Sequence, residues 1–180
     1  FGTGIGIGLI ADGQPFDGAD SAAGEIGHTT FRPGGRVCPC GRAGHFEAYC
    51  GGRAINELAA EHIAPLPPDG SGRWHTGAVL ALAKGDDAAA VAARTILADA
   101  ELAACTLVEN ACTLLNPRAV VLGGGVLSGW PELGKSIERH VRTHTSVPVH
   151  QQLEFVPSLG GSDAILWGAA AATRALWPRG

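Results

Sequence analysis

Glycine alternates with isoleucine and leucine through "GTGIGIGLI" at residues 2–10, and Asp12-Gly13 follows. That period-two pattern and turn predict a β-strand and a hairpin into a second strand. Residues 24–45 keep no period and are rich in Gly, Pro and Arg, which predicts an irregular loop. From Phe46 to Glu61 the apolar positions take helical spacing, and Pro65, Pro67 and Pro68 then mark a loop lasting to about Trp74. A short helix is predicted over 76–84 and a long one over 86–115. Apolar positions of the long helix include Leu97, Ala100, Leu107, Val108, Ala111 and Leu115. Asp86 and Asp87 suit its positive N-terminal end, and Asn116-Pro117 stops it. "AVVLGGGV" (119–126) reads as a buried strand running into glycines, and Pro131 opens a helix ending near Thr145. "HQQLEFVPS" (150–158) reads as a strand, and a closing helix spans 163–178 with Ser162 as its N-cap. Strand–helix alternation after residue 118 predicts an α/β fold.

Composition narrows the class. With 46% hydrophobic and 17% charged residues in 180, the chain can bury a core. The net charge of −4 comes without any dense Lys/Arg run, so no electrostatic footprint for nucleic acid is present. Apolar stretches are interrupted well before 18 residues, so no membrane helix is expected; no secretory signal is visible either. The chain holds no Met and starts at Phe1 inside an apparent strand, and it is read as a piece of a longer protein. Of five cysteines, Cys105 and Cys112 fall in the Ala-rich helical pattern and read as small core residues. Cys38 and Cys40 are too close for an easy mutual disulfide, and a reducing, cytoplasmic setting is expected.

The remaining cysteines sit in "HTTFRPGGRVCPCGRAGHFEAYC" (28–50). His28, Cys38, Cys40 and His45 offer two imidazoles and two thiolates, a donor set suited to closed, tetrahedral, structural zinc. Pro39 stiffens the Cys-x-Cys turn and nearby glycines let the backbone wrap an ion. Cys50 is the rival for the fourth position, although it falls on the following helical pattern.

"GEIGH" followed by "CPCGRAGHFEAYC" resembles the signature of the ROK family (repressors, open reading frames and sugar kinases), in which Glu-x-Gly-His precedes Cys-x-Cys-Gly-x-x-Gly-Cys-x-Glu. The match holds at Glu25, Gly27, His28, Cys38, Cys40, Gly41, Gly44 and Glu47; His45 replaces the family's third cysteine. The resemblance implies an actin-like ATPase (ribonuclease H-like) fold, with residues 1–180 forming the C-terminal lobe of a two-lobed sugar kinase. In that reading residues 24–50 are an inserted zinc and sugar loop, and the N-terminal lobe is absent from this chain. It assigns Glu25, His28 and Glu47 to the hydroxyls of a hexose. It also gives "GTGIG" and "VLGGGV" to the nucleotide, through Gly2, Thr3 and Gly4 and through Gly123, Gly124 and Gly125.

By the same resemblance the zinc is structural, the co-substrate is Mg-ATP and the protein forms a homodimer. The family's early phosphate motif and its aspartate base have no counterpart here: Asp12, Asp17 and Asp20 come in the wrong order. The expected activity is ATP-dependent phosphorylation of a hexose, of glucokinase or N-acetylhexosamine kinase type, with this stretch inactive alone. A sugar-responsive repressor of the same family would share the lobe.

Overall fold

The computed structural model describes residues 1–159, 161 and 164–176. The N-terminal stretch is less regular than its glycine alternation suggests. Strand pairing is confined to β1 (Ile10–Ala11) and β2 (Gln14–Pro15), joined at Asp12-Gly13, both with positive φ. Residues 2–9 are irregular, bent at Thr3 and Gly4, and tied by single bonds such as Ile7 N–H to the Gly24 carbonyl (3.2 Å). A strand is defined by its ladder, and this segment has no ladder partner among the described residues.

The predicted helix from Phe46 divides into α1 (Glu47–Cys50) and α2 (Gly52–His62), because Gly51 is extended at φ −69°, ψ 145°. After α3 (Thr76–Leu82) comes α4 (Ala88–Leu115), 28 residues long, against which α1, α2, α3 and α6 pack. Its cap is Asp87, whose carboxylate accepts from Ala90 N–H at 2.8 Å; Asn116 ends it in the left-handed region at φ 43°. Alanine supplies five of the eleven buried residues of α4, Ala90, Ala93, Ala100, Ala103 and Ala104, each at most 1% exposed. Cys105 and Cys112 lie buried on the same helix, as core residues.

The C-terminal third is a parallel β-α-β unit. β3 (Ala119–Leu122) leads through α5 (Gly125–Gly129), α6 (Pro131–His144) and α7 (Val147–His150) to β4 (Glu154–Pro157). Ala119 pairs with Glu154 and Leu122 with Pro157. α6 buries Leu133, Ile137 and Val141 at four-residue spacing and turns its charged side outward. The expectation of a buried β3 is corrected: Val121 is 60% exposed. Val120 and Leu122 pack on the core, and among the described residues nothing covers the other face. The closing helix is α8 (Ala164–Leu176); the Ser162 cap and the predicted limits at 163 and 177–178 lie outside the described residues.

Candidate functional site

The Cys-x-Cys segment is a tight turn built by its backbone. Cys38 N–H donates to the Arg42 carbonyl and Gly41 N–H to the Cys38 carbonyl, both at 2.8 Å. Gly41 has φ 85°, and Gly44 φ 82° with a would-be Cβ running into the Arg32 carbonyl, so both positions require glycine. A Thr30–His45 antiparallel bridge folds the far end of the loop back beside the Ile26–His28 turn. These turns bring His28, Cys38, Cys40 and His45 together, with one ligand atom from each lying within 4.8 Å of the others. Cys38 Sγ is 3.5 Å from His28 Nδ1, and Cys40 Sγ is 3.3 Å from His45 Nδ1. A tetrahedron with metal–sulfur bonds of about 2.3 Å and metal–nitrogen bonds of about 2.0 Å has mixed edges of about 3.5 Å, which the Cys38–His28 and Cys40–His45 pairs match.

Cys50 is not in the cluster. Its side chain is buried, its Sγ contacts the Phe46 carbonyl at 3.4 Å, and burial pushes the thiol up to about 12. Burial also raises the Cys38 thiol; His28 and His45 are half-buried and Cys40 is exposed, so the cluster runs from a buried thiol to an exposed one. Three side-chain anchors hold the loop apart from any ion. Arg32 forks onto Asp99 of α4 at 2.8 and 2.7 Å and lies over the rings of Phe31 and Tyr49. Arg36 forks onto Glu61 of α2 at 2.8 and 3.2 Å, raising the guanidinium and lowering the carboxyl. Buried Tyr49 accepts from Arg36 N–H at 2.9 Å through its hydroxyl oxygen.

The residues assigned to a hexose form a line of contacts. Glu25 Oε2 is 3.6 Å from His28 Nε2, the ring nitrogen that faces away from Cys38. Cys38 Sγ lies 3.9 Å from Glu47 Oε1, and Glu47 Oε2 accepts from Ile5 N–H at 2.9 Å. Glu47 therefore touches the glycine-rich stretch directly.

That stretch hangs on the α1–α2 junction: Gly52 N–H donates to the Gly2 carbonyl at 2.9 Å and Arg53 N–H to the Thr3 carbonyl at 3.0 Å. The triple-glycine turn lies beside its start. The Phe1 backbone nitrogen donates to the Gly123 carbonyl at 2.8 Å and Val126 N–H to the Phe1 carbonyl at 3.0 Å. Gly124, at φ 106°, leaves no room for a Cβ against Phe1. Gly123 and Gly124 line an open cavity of about 420 Å³; Gly125 begins α5 and does not, and Thr3 faces a separate, smaller hollow beside Glu47. The cavity's other wall is Ser128, Lys135 and Glu138, with Ser158 after β4. Sequence reasoning missed these, although the spacing of 131, 135 and 138 in the helix opened by Pro131 is a readable helical face.

An α/β lobe in which a Cys-x-Cys loop with Glu-x-Gly-His adjoins a glycine-rich segment and a strand-to-helix glycine turn belongs to the class of actin-like ATPase folds. The chain belongs to the ROK family, whose model matches residues 1–175. It is 32% identical over 176 residues to a glucokinase of Halalkalibacterium halodurans, covering 93% of this chain and 52% of that protein. The structure resembles a ROK family glucokinase from Streptomyces griseus solved with glucose and AMPPNP (TM-score 0.73, 26% identity, 95% of this chain and 57% of that one). It also resembles a ROK family transcriptional regulator, a homologue of the E. coli MLC protein (TM-score 0.74, 26% identity, 97% and 44%). The chain spans about half the length of these relatives. Among the described residues no helix is long and apolar enough to cross a membrane.

Proposed function

We propose that these 180 residues are the C-terminal, sugar-gripping lobe of a cytoplasmic, homodimeric, ATP-dependent hexose kinase of glucokinase or N-acetylhexosamine kinase type. The carrying observation is the unbroken line from Glu25 through His28 and Cys38 to Glu47 and the glycine-rich stretch. Ionised carboxylates accept hydroxyl hydrogen bonds in a fixed plane, each charge-assisted contact contributing about 1.5–3 kcal/mol.

His28, Cys38, Cys40 and His45 are the residues that would hold a zinc ion. A closed set of four protein ligands makes that ion a structural clamp, rather than an activator of substrate. His28 turns Nδ1 toward Cys38 and leaves Nε2 on the Glu25 side, so one imidazole can serve the clamp and a sugar hydroxyl together. Gly123 and Gly124 leave the wall of the cavity open to a base or ribose, and Gly2, Thr3 and Gly4 are the segment offered to the phosphates. Phosphoryl transfer also needs an aspartate base. This reading assigns it to the half of the family fold that lies outside these residues.

The same lobe occurs in the regulator, but the adjacency of both glycine elements at Phe1 supports the kinase reading. The test is phosphorylation of glucose and N-acetylglucosamine by the full-length protein, with ATP and with polyphosphate as donors. Hexose-dependent consumption of ATP is expected. Sugar binding without any turnover would overturn the kinase reading in favour of the regulator.

A further inference from the structure

We infer that Glu47 is the coupling element between hexose and nucleotide: one carboxylate oxygen reads a sugar hydroxyl while the other fixes the glycine-rich stretch. This rests on the sugar-kinase reading above and adds a linkage to it.

The two oxygens of Glu47 have different surroundings. Oε2 accepts from Ile5 N–H at 2.9 Å, and Gly4 lies so close beneath it that a Cβ there would strike the carboxylate. Gly51, one turn later, rests against the Thr3 carbonyl, with 3.1 Å left for a would-be Cβ. With the Gly52-to-Gly2 and Arg53-to-Thr3 bonds, residues 2–5 are therefore strung along the α1–α2 junction. Among the hydrogen bonds described for that stretch, Glu47 supplies the one from a side chain.

Oε1 has a far weaker partner, the Cys38 thiol at 3.9 Å. Oε1 is then the oxygen left for a ligand hydroxyl.

A carboxylate is a rigid plane. Binding a hydroxyl at Oε1 restricts the side-chain torsions that Oε2 needs to hold Ile5 N–H, and holding Ile5 N–H pre-orders Oε1 for the hydroxyl. Whichever ligand arrives second meets an ordered group, which gives positive and reciprocal cooperativity. A coupling of about five- to tenfold, at the lower end of common site-to-site couplings, is expected.

The experiment is titration calorimetry on the full-length protein, with glucose and AMPPNP as probes, each alone and each with the other saturating. In the unmodified protein glucose should tighten AMPPNP about five- to tenfold, and AMPPNP should tighten glucose by the same factor. Glu47→Gln keeps a carbonyl for Ile5 N–H but offers an amide donor to the hydroxyl. It should weaken glucose, weaken AMPPNP alone less than the alanine variant does, and reduce the coupling. Glu47→Ala removes both contacts and should weaken AMPPNP alone as well. Gly4→Ala, a change within the glycine-rich stretch, should weaken glucose by pushing the carboxylate aside.

If both probes bind without affecting one another, the linkage is wrong and the kinase reading stands. That measurement needs no variant to fold. The linkage is equally overturned if Glu47→Ala weakens glucose and leaves AMPPNP unchanged, because Glu47 is then a sugar contact alone. Protein that binds neither probe overturns the sugar-kinase reading and this inference with it.

Discussion

Replacing His45 with alanine tests the metal cluster most directly. Structural zinc sites hold their ion with an apparent 10–16 kcal/mol, so an equal share for each of four ligands is roughly 2.5–4 kcal/mol. At about 1.4 kcal/mol per decade, that share is roughly two to three orders of magnitude in affinity. Geometry places the loss toward the smaller end. His45 is half-buried and its neighbour Cys40, 3.3 Å away, is exposed, so water can reach the vacated position from the Cys40 side. His45→Cys should behave differently. The Thr30 bridge fixes the backbone at 45, and a thiolate there restores a four-ligand set. Elemental analysis should give close to one zinc per chain for the unmodified protein and for His45→Cys. Competition against a chromophoric chelator at fixed pH should show His45→Ala weaker by about a hundredfold or more. Cys50→Ala should keep its metal, because Cys50 is buried and faces the Phe46 carbonyl. Full affinity in His45→Ala, or loss of metal in Cys50→Ala, would refute the assignment.

Two further expectations concern the anchors of the loop. Tyr49→Phe strips the acceptor from Arg36 N–H and should cost about 1 kcal/mol, felt locally. Amide exchange should accelerate through residues 31–46 and stay unchanged in α4, and equal protection in both proteins would contradict the anchoring role. The Arg36 fork holds the Glu61 carboxyl below its ordinary value, so its contribution is fully present above about pH 4.3, the unfolded value, and fades as pH falls through the lower folded one. Both side chains are partly solvated, which limits the effect to about 0.2–1 kcal/mol. The gap in urea midpoint between the protein and Glu61→Gln should close between pH 6 and pH 3, whereas a constant gap would exclude the fork as its source.

The parts of the fold governed by local rules were legible. α4 follows from its apolar spacing, its acidic start and Asn116-Pro117; the cap proved to be Asp87, the second of the two acids. α6 follows from Pro131 and a clean amphipathic stripe. The split at Gly51 was hidden, because two adjacent glycines inside a helical pattern do not reveal which one turns extended. α7 was hidden too: four residues carry no readable period. The strand expected at residues 2–9 failed because alternation reports a face to bury and says nothing about a ladder partner.

At the site, clustered Cys and His residues were enough to single out His28, Cys38, Cys40 and His45. The structure adds that these four converge. The Arg32–Asp99 and Arg36–Glu61 forks span 67 and 25 residues of sequence, and such partners cannot be read from spacing. Glu47's contact with Ile5, 42 residues away, was hidden for the same reason.

The alanine seam of α4 bears on how this scaffold can diversify. Positions 90, 93, 100, 103 and 104 are at most 1% exposed, and extra carbons forced into a packed interior typically cost about 1–3 kcal/mol. Drift is therefore channelled to the helix's outward residues, such as exposed Val91 and Leu102, and to the loops. A spine that resists change beneath surface segments that accept it lets substrate preference evolve while the architecture stays frozen.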